Sequence, residues 1–264
     1  MKFCRVLGLK TAVSYMDEAV TLVCDRLDEL KGQYITFANT HSVVMAAESR
    51  RFLKVQEAAA MVFADGWPVA KYQKWKGFAE AKRVAGPDFM AEIFKRSVEK
   101  GYSHYFYGSS NETLAALRTN LENRYPGIEI GGMYSPPYGK RTKEEWNGDL
   151  EKINASGADF IWIGLGAPKQ ELFMYRQKGK ACGLMLGVGA GFDFHAYTIK
   201  RAPLWMQRCG LEWFHRLMQE PGRLLKRYLV TNIKFISLCI KESMTFRKKE
   251  NKGQTKSEEN NGEN

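Results

Sequence analysis

The chain has 264 residues, of which 44% are hydrophobic and 26% charged, and a formal net charge of +11. That length supports one large domain or two small ones with ample core, and the composition excludes a disordered or fibrous chain. Five scattered cysteines without a CxxC pair argue against a disulfide framework or a zinc site and fit a reducing cytosol.

The excess charge is unevenly placed. Residues 200–249 hold 12 Lys/Arg against 3 Asp/Glu, a balance of +9. Such a concentration points to a polyanionic partner: a lipid surface, a diphosphate or a nucleic acid.

In chain order, MKFCRVLGLKTAVSYMDEA has no apolar stretch long enough for a secretion signal, so the protein is expected to stay inside the cell. Alternating short apolar runs and amphipathic segments then predict an α/β layer fold with a mostly parallel, Rossmann-like sheet. Strands are expected at 3–8, 33–38, 60–64, 103–108, 128–132, 159–164 and 183–188.

The strand at 33–38 ends in Asn39-Thr-His41. The Asn39 amide suits a sugar hydroxyl or the cap of the next helix, and His41 is a general base by residue type. The next strand ends in Ala64-Asp65-Gly66-Trp67-Pro68. An acid at the carboxyl end of a strand faces the usual ligand crevice, although Asp-Gly is also an ordinary turn former. Arg83 suits bidentate contact with phosphate oxygens, or an ion pair with Asp88.

The run Tyr105 to Gly108 meets a polar cap and a helix that Pro126-Gly127 stops. The unit Phe160-Ile-Trp-Ile-Gly164-Leu-Gly166-Ala-Pro168-Lys-Gln170-Glu171 repeats this plan, with Pro168 opening a helix. Its glycines lack the third glycine of the dinucleotide fingerprint and the Walker lysine, against a nicotinamide or ATP site. A helix start there still suits a phosphate, and Glu171 also fits as a plain helix-start acid. Gly187-Val-Gly189-Ala-Gly191-Phe-Asp193 is a second glycine-rich strand end, suited to close approach by a ligand or another strand.

From about Ala196 the pattern becomes helical, with two helices divided near Pro221. Lys226, Arg227, Lys234 and Lys241 fall on one narrow face, opposite a broad apolar face of Leu224, Leu225, Tyr228, Leu229, Ile233, Phe235, Ile236 and Ile240. The apolar-leaning run at 228–240 is too short to span a bilayer. Arg216, Arg223 and Arg227 share a face if the helix persists through Pro221, and beside a broad apolar surface they suit an anionic membrane. The expected organisation is an α/β core over 1–195, a basic amphipathic helical appendage over 196–249 and a disordered tail over 250–264. No Asp-x-Asp, HExxH or GxSxG occurs in the chain, against a metal held by paired acids, a zinc hydrolase or a serine hydrolase.

Taken together, Asn39, Ala64-Asp65-Gly66, Arg83-x-x-Gly86-x-Asp88, Gly164-Leu-Gly-x-Pro168-Lys-Gln-Glu171, Gly187-Val-Gly-x-x-Phe-Asp193, Arg201-Ala-Pro-x-Trp205, Gly210-Leu-Glu-Trp213-x-x-Arg216 and Glu220-Pro221-x-Arg223-x-x-x-Arg227-Tyr228 follow one another in an order that resembles the WecG/TagA/CpsF glycosyltransferases, family 26. The similarity covers roughly residues 1–230. One departure is that members often carry Thr two residues before the Asn, where this chain has Phe37 with Thr36 adjacent.

The resemblance implies transfer of N-acetylmannosamine or a related sugar from a UDP donor to a polyprenyl-diphosphate-linked acceptor, in building a cell-surface polysaccharide or teichoic acid. It implies inverting chemistry without metal or other cofactor. It also implies an appendage that docks peripherally on the inner face of the cell membrane and completes the site, and self-association away from the membrane. Inverting transfer needs a base, for which Asp65 is the choice, and fixed cations for the departing UDP, for which Arg216, Arg223 and Arg227 are candidates. Asn39, Arg83, Gln170, Glu171 and Asp193 are assigned to substrate binding.

Two other readings are open to the sequence. A nucleic-acid-binding module would use the basic segment, but would leave its apolar face without a partner. A nucleotide-sugar epimerase or dehydrogenase would need the missing glycine fingerprint.

Overall fold

The computed structural model describes residues 1–261, with the side chains of Arg223 and of 245–261 outside the described set. The first half contains β1 (Lys2–Val6), β2 (Leu9–Val13), α1 (Met16–Asp25), α2 (Leu27–Leu30), β3 (Tyr34–Ala38), α3 (Thr40–Glu48), α4 (Arg50–Glu57), β4 (Met61–Ala64), α5 (Trp67–Trp75) and α6 (Gly86–Lys100). There follow β5 (Ser103–Gly108), α7 (Asn111–Arg124), β6 (Glu129–Tyr134), α8 (Lys143–Ala155), β7 (Phe160–Gly164), α9 (Lys169–Gln177), β8 (Leu184–Gly187) and α10 (Gly191–His195). The chain ends in three helices, α11 (Leu204–Arg208), α12 (Glu212–Gln219) and α13 (Pro221–Asn261).

The strands form one eight-stranded sheet in the order β1-β2-β4-β3-β8-β7-β5-β6. All pairings are parallel except β1 with β2. The central strands are buried along nearly their whole length, as a parallel sheet covered on both faces requires. Strand alternation divides their side chains. Ile35, Phe37, Phe160 and Trp162 join a core with α1, α6, α7 and α10. Tyr34, Ile161, Ile163 and Met185 pack with α8 and α9, and Ala38 and Val62 with α3, α4 and α5. The expected α/β layer fold is therefore present.

The strand expected at 3–8 is corrected to a hairpin. Leu7 and Gly8 both have positive φ, 49° and 92°, and turn the chain back so that Leu9–Val13 forms β2. Positive φ at both turn positions matches the twist of a two-residue hairpin. Leu7 hid the turn, because a leucine there carries no turn signal.

Among the last helices, the boundary at Pro221 is sharp. Glu220 has φ −134° and ψ 58° and ends α12, as expected for a residue forced out of helical geometry by the proline that follows it. The helix does not persist through Pro221, so Arg216 stands on α12 and Arg227 on α13. The single arginine face that continuity would have created is thereby corrected. Helix α13 lies on α3, burying Leu224, Thr231 and Phe235. Lys234 pairs with Glu48 at 2.5 Å, and Glu242 accepts a 2.5 Å bond from the Tyr72 hydroxyl. Leu225, Leu229, Ile233, Ile236, Ile240 and Met244 remain exposed, at the three- and four-residue spacing of one helix face. Among the described residues no helix is long and apolar enough to cross a membrane. The segment expected to be a disordered tail, 250–264, has its side chains, and at 262–264 its backbone, outside the described residues.

Candidate active site

Parallel strands direct all their carboxyl ends to one edge, and β4, β3, β8 and β7 are neighbours. The loops and helix starts after these four strands carry Asp65, Asn39, Asp193 and the segment Gly164–Glu171, which gathers most of the expected site residues at one edge of the sheet.

Asp65 follows the last residue of β4, and its N–H donates to the Ala38 carbonyl at 3.0 Å, fixing it beside the end of β3. A Cβ placed on Gly66 would lie 3.4 Å from the Asn39 Cα, so the two loops pack closely. Asn39 caps α3, its Oδ1 accepting from the N–H groups of His41 and Ser42 at 3.0 and 3.2 Å. Its side-chain oxygen therefore holds a helix start, and its amide N–H₂ is the part left for a ligand.

Asp65 is half-buried and enclosed by protein. Desolvation raises its carboxyl to about 7, an effect opposed by the Arg83 guanidinium and reinforced by the nearby Glu212 and Asp88 carboxylates. A carboxylate poised near neutrality can take a proton at physiological pH and return it to solvent.

Arg83 pairs with Glu212 and, at 3.2 Å, with Asp88. Arg201 grips Asp88 with both terminal nitrogens, one at 2.8 Å, and its Nε reaches Glu212 at 3.3 Å. These four side chains form a closed ring of alternating charge. It ties α12, through Glu212, to the core beside Asp65. Arg83 thus meets both Asp88, as one of its two sequence readings held, and a second carboxylate. Glu212 and Arg201 had no assigned role in the sequence reading. Their signal was Arg201-Ala-Pro and Gly210-Leu-Glu, which lie in the motif run without a reactive residue type to mark them. A cleft of about 790 Å³ opens beside the ring, bordered by Arg83, Asp88, Arg201, Lys200 and Arg124.

At β7 and β8, Gln170 is a brace. Its Oε1 accepts from the Gly166 N–H at 3.2 Å, and its Nε2 donates to the Gly187 carbonyl at 3.3 Å and to Glu171 Oε1 at 3.1 Å. Gln170 and Glu171 are both buried. Burial lifts Glu171 to about 7, and its Oε2 has no hydrogen-bond partner among the described residues. These two residues hold the glycine turns at the carboxyl ends of β7 and β8. Asp193 lies in α10, where its backbone oxygen accepts from the Thr198 hydroxyl at 3.2 Å. Thr36 does not stand in for the threonine expected nearer Asn39. It is buried, and its hydroxyl donates to Gln56 Oε1 at 2.7 Å, while Phe37 joins the ring cluster of Phe63 and Phe89.

Among the candidate arginines, Arg216 is largely buried, with its guanidinium 5.0 Å from the Phe194 ring centroid and 3.7 Å from Glu220. Its Nη1 has no hydrogen-bond partner among the described residues. Arg227 is exposed, stacks over Tyr228, and lies close enough to His41 to help burial lower that imidazole's pKa. His41 Nδ1 is 3.4 Å from the Thr231 hydroxyl of α13. The side chain of Arg223 lies outside the described residues. Among the described residues no group of three or more His, Cys, Asp or Glu side chains is placed to hold a metal ion.

Residues 4–249 match the family described as Glycosyl transferase WecG/TagA/CpsF. Over 231 residues, 87% of each chain, the sequence is 30% identical to the N-acetylglucosaminyldiphosphoundecaprenol N-acetyl-beta-D-mannosaminyltransferase of Bacillus spizizenii. The chain belongs to the WecG/TagA/CpsF family of glycosyl transferases.

Proposed function

We propose that the protein transfers N-acetylmannosamine from its UDP derivative to the N-acetylglucosamine of a polyprenyl-diphosphate-linked acceptor, inverting the anomeric centre without a metal ion, in the synthesis of a cell-surface polymer. The observation that carries this reading is the near-neutral carboxyl of Asp65, set beside fixed guanidinium groups at the carboxyl edge of the sheet. The activity named for the Bacillus spizizenii relative supports the choice of donor sugar and acceptor.

In the reaction an acceptor hydroxyl attacks the donor's anomeric carbon as the bond from that carbon to the β-phosphate oxygen breaks. The hydroxyl proton passes to Asp65, and the negative charge gathers on UDP. Guanidinium groups would stabilise that charge. Arg216, with an Nη1 that has no partner among the described residues, and Arg227 and Arg223 on α13 are assigned this role. Asn39 and Asp193 are assigned to sugar and nucleotide contacts, Arg83 to positioning Asp65, and Gln170 with Glu171 to shaping the turn beneath the donor. Arg223 and Arg227 stand on the same helix as the exposed apolar stripe and Arg216 on the helix before it, so peripheral docking on an anionic membrane, at its inner face, would bring them to the lipid-linked acceptor. The same stripe would favour self-association away from lipid.

The test is UDP release from a panel of UDP-sugars with a short polyprenyl-diphosphate-linked GlcNAc acceptor in EDTA. Release that needs both the acceptor and UDP-N-acetylmannosamine is expected. Release from a different sugar would overturn the donor assignment, and a requirement for added divalent metal would overturn the role given to the arginines.

A further inference from the structure

Between α5 and α13 lies an open groove of about 510 Å³. Its floor includes Phe235 and Cys239, and its rims are Trp67 and Trp75 of α5 against Ile240 and Met244 of α13. All four rim side chains are exposed, between 41% and 56%. The helices are pinned across the groove floor by Glu242, which accepts from the Tyr72 hydroxyl and pairs with Lys76 at 2.9 Å. The gap is thus a held feature rather than a loose seam.

Where the groove starts and where it leads identify its occupant. One end is Trp67, two residues after Asp65, and the Lys71 ammonium sits 4.6 Å over the Trp67 ring. The appendage closes on this end: a Cβ on Gly210 would come within 2.9 Å of the Trp67 ring, so the turn between α11 and α12 needs glycine there. The facing rim, Ile240 and Met244, also belongs to the exposed stripe of α13. A lysine, an apolar trough and the apolar face of α13 are thus contiguous, in a groove whose α5 rim begins two residues after the candidate base. An acceptor made of a sugar, a diphosphate and a long branched hydrocarbon presents groups that match each of these. An extended peptide would need a line of backbone donors and acceptors along the trough, whereas its polar groups are side chains only: Lys71, Ser243, two indole N–H groups and a Tyr72 hydroxyl already held by Glu242. Aromatic walls with a methionine and a cysteine suit a methyl-branched chain, because thioether and ring surfaces adapt to irregular apolar shapes.

We infer that the α5–α13 groove binds the first isoprene units of the acceptor's lipid tail, with Lys71 facing the diphosphate, so that the sugar is presented to Asp65. This rests on the proposed acceptor chemistry. It adds a protein subsite that reads the tail and separates tail recognition from membrane docking.

The decisive comparison uses detergent solution with two GlcNAc-diphosphate acceptors, one with a single isoprene unit and one with eleven. Trp75→Ala, in the groove but off the stripe, and Ile240→Asn, in both, are expected to raise KM for the long acceptor about tenfold, a difference of about 1.4 kcal/mol. Both should leave kinetics with the short acceptor within about twofold. Ile233→Asn, on the stripe and outside the groove, should weaken binding to vesicles of anionic phospholipid without separating the two acceptors in detergent. Equal KM changes for both acceptors, or an Ile233→Asn effect equal to that of Trp75→Ala, would overturn the inference in favour of general lipid contact. A benzophenone-bearing C15 prenyl diphosphate gives a second readout independent of turnover. Cross-links on 67–76 and 235–244 are expected, and their absence from both segments would contradict the subsite. Wild-type protein inactive with both acceptors, yet cross-linked in the groove, would fault the proposed activity and leave the subsite standing.

Discussion

Asp65 and Glu171 are two carboxyl groups lifted to about 7 by burial, and their surroundings give them different work. Asp65 lies near the Arg83 guanidinium, whereas Glu171 is buried and accepts from Gln170, with one oxygen unpartnered among the described residues. For both, the folded pKa lies above the unfolded value, so the protonated form favours the fold. That contribution is complete below about pH 4 and is lost as pH rises through about 7. Removing the titratable oxygen should therefore help stability only at the alkaline end. Asp65→Asn is expected to raise the melting temperature by ~2–4 °C at pH 8, on the order of 1 kcal/mol in a domain of this size, with little change at pH 4. The same substitution should lower kcat by about 10²–10⁴ through loss of the base. Glu171→Gln should show a similar pH-dependent gain in melting temperature and keep KM for the donor within about twofold. A large rise in donor KM would restore Glu171 to direct substrate contact. Thermal melts at both pH values and steady-state kinetics check the pair.

At the scale of elements, the sequence exposed the strands of the buried centre and hid what depends on partners far along the chain. Tyr34–Ala38, Phe160–Gly164 and Leu184–Gly187 stood out as continuous apolar runs because both of their faces are covered. Strand β2 did not, because Lys10 and Thr11 break its apolar pattern and its turn lacks the Asn-Gly or Asp-Gly signal. Asp65 was legible from its place at a strand end. The ring of Arg83, Asp88, Arg201 and Glu212 was legible only in its Arg83–Asp88 pair, since Arg201 and Glu212 come from later segments and each reads alone as an ordinary surface charge. The burial of Gln170 and Glu171 was equally hidden, because a helix-start Glu is sufficient reason for itself. The ring makes Glu212 the ionic link between α12 and the core. Glu212→Gln, which leaves two guanidinium groups short of a carboxylate, should weaken that attachment by about 1–3 kcal/mol. Limited proteolysis between 196 and 211 should speed up in this variant and, for wild type, in high salt. Unchanged cleavage would mean that the other ties, the packing of Trp67 against Gly210 and of Leu224 and the Lys234–Glu48 and Lys76–Glu242 pairs, hold the appendage without the ring.

For the whole molecule, the proposed reaction draws its base from the sheet edge and its cations and apolar face from the terminal helices. A chain ending at residue 195 keeps every strand and the helices on both sheet faces, and loses Arg201, Glu212, Arg216 and Arg227 together with the stripe from Leu225 to Met244. Transfer to a lipid-linked acceptor should fall below detection in this truncated chain. Full turnover by it on such an acceptor would refute the view that the appendage completes the site. Sedimentation with anionic vesicles should likewise retain the full chain and release the truncated one.

The central claim is that Asp65 takes the acceptor's proton in a sugar transfer. Its most direct test is the pH dependence of acceptor-dependent UDP release, from pH 5 to 9 in EDTA, for wild type and Asp65→Asn side by side. The wild-type rate should climb tenfold per pH unit on the acid side and level off above about 7, where Asp65 is ionised, while the variant should lose both the rate and the inflection. A variant that kept the wild-type rate and inflection would remove Asp65 from the chemistry and move the base to another group, with His41 the first to examine.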